Sequence, residues 1–273
     1  MKVSVLGSGS RGNATLVAGE GTRILVDAGF SARDVERRLA LLEVGPEEIT
    51  AIVVTHDHGD HTRGVGVFAR RHGTPVYLTD RTREACAGLF KGAEELRPYR
   101  AGYPFSVETL TVEPFLTIHD ARDPVAVAVR EPSTGHKMGV ATDLGRPTAQ
   151  VRHALSACDF LVLEANHDEA LLHQGPYPVS VKNRIASSHG HLSNQAAAQL
   201  ALELLHPRLA GVVLAHLSAE CNRPELAESI VGDALKEAGY RGLLQVAAQD
   251  EPTPLMDVGE MVRRLEPDQL NLI

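Results

Sequence analysis

Between Thr55 and His61 the chain reads Thr-His-Asp-His-Gly-Asp-His, which places three imidazoles and two carboxylates in consecutive positions 56–61. Imidazole is the commonest protein ligand for transition metals, and neighbouring carboxylates complete a nitrogen and oxygen donor set. The donors follow Ala-Ile-Val-Val-Thr at 51–55, an apolar, β-branched run of strand length. Side chains alternate along a strand, so His56 and His58, two apart at its end, project to one side and can reach one ion. Gly59 is expected to permit a sharp turn, after which Asp60 and His61 open a helix and face a second ion beside the first. A solvated polar loop is the alternative, and a hydrophobic strand that delivers so many donors argues against it. Two divalent ions about 3.5–4 Å apart lower the pKa of a shared water and stabilise charge on the attacked group, which is hydrolytic chemistry. Such donors suit zinc or manganese and also admit iron, so spacing leaves the metal open. A second polar cluster, Ser-His-Gly-His-Leu-Ser-Asn at 188–194, sets histidine ahead of a small polar N-cap and a helix. There an imidazole can protonate a leaving oxygen at the edge of a cleft, although a polar loop before a capped helix reads the same way.

These groups need strands to hold them. Residues 2–6, 14–18 and 22–27 read as a β-meander with Gly-rich turns, and Ser31 as the N-cap of a helix to about Leu42. Further on, a strand is predicted over 51–55, a helix over 62–71, a strand over 75–78 and a helix over 81–89. Residues 97–129 are strand-rich, and 136–142 form another strand. After Gly145 come a helix (148–157), a strand (160–164), a helix (194–205), a strand (211–215), a helix (224–238) and a strand (243–248). Two groups of strands with helices outside predict an α/β protein, an αββα four-layer sandwich of two face-to-face sheets. No linker divides the chain, and its 273 residues fit the upper range of one core, so one domain is expected over 1–273. Residues 251–273, with Pro252, Pro254 and Pro267, read either as a tail or as a strand docked on a sheet edge.

Composition removes several classes. The chain is 43% hydrophobic and 23% charged, an ordinary globular balance that excludes disorder, collagen and coiled coil. No apolar run has the roughly 18–20 residues of a membrane span, and the opening Met-Lys-Val-Ser-Val-Leu-Gly-Ser lacks the parts of a signal peptide. Cys86, Cys158 and Cys221 lie far apart, so neither a disulfide framework nor a thiolate zinc site is indicated, and a cytoplasmic location is expected. A net charge of −8 argues against a generally basic nucleic-acid surface, while bound metal can still attract phosphate locally. With aromatics at only 4%, no stacking platform for single strands is evident.

With its H-x-H-x-D-H motif intact, the sequence resembles the metallo-β-lactamase superfamily. The resemblance implies that Asp27, in Ile-Leu-Val-Asp-Ala-Gly, supports the metal loop from behind. It implies His119, in Phe-Leu-Thr-Ile-His-Asp-Ala, as the third histidine of one ion, with His136 as competitor. Asp143, in Gly-Val-Ala-Thr-Asp-Leu-Gly, would bridge both ions, and His216, in Val-Val-Leu-Ala-His-Leu-Ser, would be the last ligand of the second. One ion is then held by His56, His58 and His119, the other by Asp60, His61 and His216, each with a position for water. The absence of cysteine resembles the nucleases and phosphodiesterases of the superfamily, and His58 in place of Glu departs from its flavodiiron members.

The order of peptides from Met1 to about Asp250, including Ser-Gly-Ser-Arg-Gly-Asn, Leu-Glu-Ala-Asn-His-Asp, Gly-His-Leu-Ser-Asn and Cys-Asn-Arg-Pro-Glu, is similar to the WalJ (YycJ) branch. Its members are regarded as exonucleases that degrade DNA from 5′ ends. This implies a phosphodiesterase acting on DNA through a metal-bridging hydroxide organised by both ions and Asp143, with Asp60 and His191 as the catalytic residues and His191, rather than His189, protonating the leaving oxygen. Ser10, Asn13, Asn166 and Ser193 are candidate substrate contacts, and Lys182 and Arg184 candidate backbone contacts; plain turns and solvated charges are the alternatives. A hydrolase of a small thioester, lactone or ester remains the competing function, and a metal-stabilised binding module the third. No membrane or protein partner is read from the sequence.

Overall fold

In the computed structural model, which describes residues 1–265, each half of the chain builds one mixed sheet. In the first, β1 (Lys2–Gly7), β2 (Ala14–Ala18) and β3 (Arg23–Val26) pair antiparallel. The parallel strands β4 (Ala51–Val53), β5 (Val76–Leu78) and β6 (Leu96–Pro98) then follow β3. The second sheet repeats the plan with antiparallel β7 (Phe105–Val107), β8 (Leu110–Leu116), β9 (Val125–Glu131) and β10 (His136–Ala141). Parallel β11 (Phe160–Glu164), β12 (Gly211–Ala215) and β13 (Leu243–Val246) complete it. A short β14 (Met256–Asp257) returns to pair with β1, Val3 opposite Met256.

Parallel neighbours require crossovers, and the helices supply them. Between β3 and β6 lie α1 (Ala32–Ala40), α2 (Gly59–Thr62), α3 (Val65–His72) and α4 (Asp80–Ala85). Between β10 and β13 lie α5 (Ala149–Leu155), α6 (Glu169–Gln174), α7 (Val179–Ile185), α8 (Asn194–Glu203) and α9 (Pro224–Glu237), and α10 (Val258–Leu265) follows β14. No helix among the described residues is long and apolar enough to cross a membrane.

Alternation along the strands creates three hydrophobic interfaces. Ile24 and Val26 of β3 and Val213 and Ala215 of β12 join the cluster between the sheets. Leu25 turns outward to meet Val35 and Leu39 of α1 and Phe68 of α3. Val212 and Leu214 turn to the other side, against Leu155, Leu200 and Val231 of α5, α8 and α9. Three interfaces make four layers, and the protein is an αββα sandwich. Strands buried on both faces explain why their sequences run apolar without alternation.

Several boundaries differ from the sequence reading for identifiable reasons. Ser31 and Ser193 cap α1 and α8 as their positions suggest, accepting from Asp34 N and Ala196 N. The helix expected over 62–71 starts at Gly59 and is interrupted before Val65, where a Cβ on Gly64 would lie 2.2 Å from the Phe30 carbonyl oxygen. Gly59 itself has open space around it and no positive φ, so the turn there comes from the start of α2 and not from glycine geometry. Helices α6 and α7 went unanticipated, because six or seven residues around Gly-Pro-Tyr-Pro carry too little periodicity to read. Of the two readings of the segment after residue 251, a tail or a docked strand, the structure shows the strand, β14 on the β1 edge, while the part of that segment over 266–273, with Pro267, lies outside the described residues.

Arg38 couples this frame to the turn beyond β1. Its side chain is buried, with its guanidinium 3.8 Å from the Phe30 ring centroid and its Nη1 donating to the Leu6 carbonyl at 2.6 Å. It pairs with Asp34 one helical turn earlier. Replacing Arg38 with alanine removes the desolvated cation–π contact and leaves a buried carbonyl unpaired, and is expected to cost about 2–4 kcal/mol, measured by urea denaturation.

Candidate metal centre

The strand ends of both sheets converge on one cleft. Asp27 follows β3, His56 follows β4, His119 follows β8, Asp143 follows β10, Glu164 ends β11 and His216 follows β12. Loops at the carboxyl ends of parallel strands are where α/β sheets hold ligands. Three of these residues take left-handed backbone: Asp27 (φ 63°), Asp143 (φ 58°) and His216 (φ 56°). For a non-glycine residue such a conformation costs of order 1–3 kcal/mol, and it ends the strand abruptly. Hydrogen bonds hold the turns: Asp27 N donates to the Val53 carbonyl at 2.9 Å, and His216 N to Ser8 Oγ at 2.8 Å.

A histidine can hold a metal through one ring nitrogen when the other is fixed by a hydrogen bond. Asp27 accepts from Thr55 N, from Thr55 Oγ1 and from His61 Nδ1, all within 2.7–2.8 Å, and the Thr55 hydroxyl also contacts His56 Nδ1 at 2.9 Å. That leaves His56 Nε2 and His61 Nε2 for the cleft. His58 donates its Nε2–H to the Asp120 carbonyl at 2.9 Å, leaving Nδ1, and His119 Nδ1–H meets the Gly190 carbonyl at 3.1 Å, leaving Nε2. Two donor groups result. His56, His58, His119 and Asp143 form one, and Asp60, His61 and His216 the other. Asp143 lies between them, Oδ1 at 3.4 Å from His119 Nε2 and Oδ2 at 3.0 Å from His61 Nε2.

Two atoms test whether an ion fits. His56 Nε2 and Asp143 Oδ2 are both buried without a hydrogen-bond partner. Buried polar atoms are rarely left so, and a cation between them satisfies both. Protonation supports the same reading. Burial and the neighbouring imidazoles push His56 well below its usual range. Burial also disfavours charge on Asp143, but His216 and His61 outweigh it and hold the carboxyl well below the ordinary value. In His216 burial is outweighed by Asp143, Asp60 and Glu164, which raise it to about 10. Without metal, protons on the imidazoles balance the carboxylates, and a divalent cation displaces them. No cysteine joins the donor groups among the described residues, and burial pushes Cys86, whose Sγ touches the Asp57 carbonyl, up to about 11.

Glu164 is the residue that sequence reasoning missed. Its Oε1 accepts from His191 Nδ1 at 2.8 Å and His216 Nδ1 at 3.0 Å, and its Oε2 from the amides of Leu144 and Leu192 at 2.8 and 3.0 Å. Burial opposes its charge, and the two histidines overcome this and take the carboxyl down to about 2. Glu164, His191, His216 and Asp143 are close enough to suggest a third cation position, but these hydrogen bonds already satisfy Glu164. A carboxylate closing an otherwise apolar strand, Phe-Leu-Val-Leu-Glu, was the available signal.

The remaining candidates divide. Ser10, Asn166 and His191 line the cleft, joined by Tyr177, Arg184 and Ser218. Asn166 donates to the His216 carbonyl at 2.8 Å. Asn13 is buried behind the ligands, its carbonyl oxygen accepting from Ser8 Oγ and Gly9 N and its amide 3.3 Å from Asp60 Oδ2. Ser193 spends its hydroxyl on the α8 cap and on Glu169. His136 begins β10 and contacts Asp159, away from the donors, and His189 is exposed beside Ser188. Gly29 is fixed sterically, since a Cβ there would lie 1.6 Å from the Asp60 carbonyl oxygen.

Residues 22–216 match the family model described as the beta-lactamase superfamily domain. The chain is 34% identical over 239 residues to "Exodeoxyribonuclease YycJ" of Bacillus anthracis, covering 87% of this chain and 90% of the relative. It is 31% identical over 265 residues to "Exodeoxyribonuclease WalJ" of Streptococcus pneumoniae, covering 94% and 98%. Among solved structures, the metallo-beta-lactamase fold protein YhfI from Bacillus subtilis superposes with a TM-score of 0.70 at 18% identity, covering 92% of this chain and 98% of that one.

Glu164→Gln keeps the shape of the side chain, but its NH2 must face either the two backbone amides or the two histidine Nδ1–H groups, so one pair of donors loses its acceptor. Divalent-metal affinity is expected to fall about 10–100-fold, read by chelator competition on protein whose circular dichroism is unchanged.

Proposed function

This chain belongs to the beta-lactamase superfamily, and from that premise we propose that it is a metal-dependent exonuclease that hydrolyses DNA from 5′ ends with two divalent ions, zinc or manganese. The carrying observation is the pair of donor groups that share Asp143 and open onto a cleft edged by His191. The relatives named exodeoxyribonuclease support DNA as the substrate, because this chain aligns with nearly their whole length.

When bound, two divalent ions supply a nucleophilic water at neutral pH and draw negative charge away from an attacked phosphate. The protein's own residues do the rest. Asp143 sets the separation of the two donor groups. Asp27 fixes His61, and through Thr55 it fixes His56, so the ligands are oriented before substrate arrives. His191 commits Nδ1–H to Glu164, and its Nε2, once it also carries a proton so that the ring is an imidazolium beside the Glu164 carboxylate, gives that proton to the departing ester oxygen and returns to the neutral ring. Each sheet contributes only part of the donor set, so neither half forms a site alone, and we read the chain as one domain.

Protein purified without chelator is expected to carry about two metal ions per chain and to release label progressively from 5′-end-labelled DNA. Asp60→Ala is expected to lose about one ion per chain, measured by elemental analysis, together with activity, and His191→Ala to keep its metal while kcat falls about 10²–10⁴-fold. Full metal content with intact DNA, alongside turnover of thioesters or lactones, would overturn the reading.

A further inference from the structure

A second cavity, of about 800 Å³, opens beside the metal cleft, whose own volume is about 180 Å³, and His191 lines both. The cleft has room for a phosphate group, whereas the larger cavity falls in the roughly 300–1,000 Å³ range of ligand pockets. The scissile phosphate of a nucleic acid carries a nucleoside that must be placed somewhere near by.

We propose that this cavity is the nucleoside subsite, binding the base and sugar of the terminal nucleotide whose phosphate sits at the metals. The inference rests on the nuclease reading for the identity of the strand. Three features of the lining support it. Leu172, Val179 and Leu192 give the cavity apolar walls suited to the faces of a base, and Val179, on α7, is 71% exposed with nothing packed over it. His167 lines the same space, is almost wholly buried, and its Nδ1 makes no hydrogen bond. Burial lowers the His167 pKa and keeps the ring neutral; Nδ1 is enclosed, so the ring meets a base edge through Nε2, which makes no side-chain hydrogen bond of its own.

Charge is arranged to match. Arg146 and Lys182 line the cavity, Lys182 with its Nζ on the His173 carbonyl, and they supply the positive charge that a phosphodiester backbone requires, while Arg184 in the adjoining cleft is paired with Asp120 at 2.8 Å. The one carboxylate in the wall, Glu169, is held by Ser193 Oγ at 3.1 Å, and it suits the exocyclic amine of a base better than a phosphate. No Phe, Tyr or Trp lines the cavity, so the contact is an apolar slot with an imidazole and not an aromatic stack. His167 is held in place by main-chain contact, its carbonyl accepting from Asn194 N at 2.8 Å.

The test is calorimetric binding to the manganese-loaded protein of deoxyadenosine 5′-monophosphate and of 2-deoxyribose 5-phosphate, which share the phosphate and differ by the base. The nucleotide is expected to bind at least about tenfold more tightly. Ala196→Phe, at a half-buried position on the first turn of α8 that lines the cavity, fills it without replacing a residue of either donor group and is expected to bring the two affinities together. His167→Leu is expected to narrow the gap in part. Equal affinities in the unaltered protein, or a gap that survives Ala196→Phe, would overturn the subsite. DNA degradation with equal affinities sinks the subsite and leaves the nuclease reading standing, whereas a preserved gap with intact DNA upholds a nucleotide site and sinks the exonuclease.

Discussion

A cluster of imidazoles and carboxylates can be buried only if every nitrogen and oxygen has somewhere to place its proton or lone pair. The rest of this structure depends on meeting that constraint. Asp27 absorbs three donors at once, so His56 and His61 turn their remaining nitrogens one way. Glu164 does the same from the other sheet, taking two histidines and two backbone amides on one carboxylate. The two carboxylates stand on opposite sides of the donors and orient them, while Asp143, between the two groups, retains a buried oxygen without a partner. That difference separates the groups that hold the site from those that face the ions.

The sandwich provides the rigidity this arrangement needs. Each sheet passes from an antiparallel meander to parallel strands joined by helices, and each delivers its chemistry from strand ends on one side of the sandwich, in the antiparallel part (Asp27, His119, Asp143) as well as the parallel part (His56, Glu164, His216). Three hydrophobic interfaces lock the layers, and the strained backbone at Asp27, Asp143 and His216 persists because packed strands precede it. Gly29 and Gly64 carry the complementary constraint. The Asp60 carbonyl presses on one and the Phe30 carbonyl on the other, which seats the metal loop against the first sheet.

Electrostatics reconciles an acidic protein with an anionic substrate. The net charge of −8 repels nucleic acid at long range, so attraction must be local. The donor groups are built to concentrate divalent charge in a small cleft, and Arg146 and Lys182 extend positive potential beside it, whereas the Arg184 charge is balanced by Asp120. Helices α6 and α7 form one wall of the larger cavity, so the short segment that lacked a sequence signature shapes the surroundings of the chemistry.

The sequence by itself determined the layer plan and the donor motif, because both are local. Apolar runs of strand length followed by capped helices are legible one segment at a time, and H-x-H-x-D-H carries its donors within six residues, although β4 ends at Val53 and His56 and His58 stand in the loop before α2, beyond the strand alternation expected to align them. Ser31 and Ser193 could be read as caps for the same reason: their partners are three residues away. Tertiary structure decided what depends on contacts between distant segments. Glu164 looks like the polar end of a buried strand until β11 is laid beside β12 and the loop carrying His191. Asn13, whose position after β1 suggests a phosphate contact, turns inward because the turn packs against Asp60 and His61. His119 and His136 are both histidines beside strands, and only the direction of β8 and β10 in the folded sheet separates the end that carries donors from the end that does not. A hydrogen bond across 52 residues, as between Glu164 and His216, leaves no mark on local spacing, since its geometry exists only when both strands are in place.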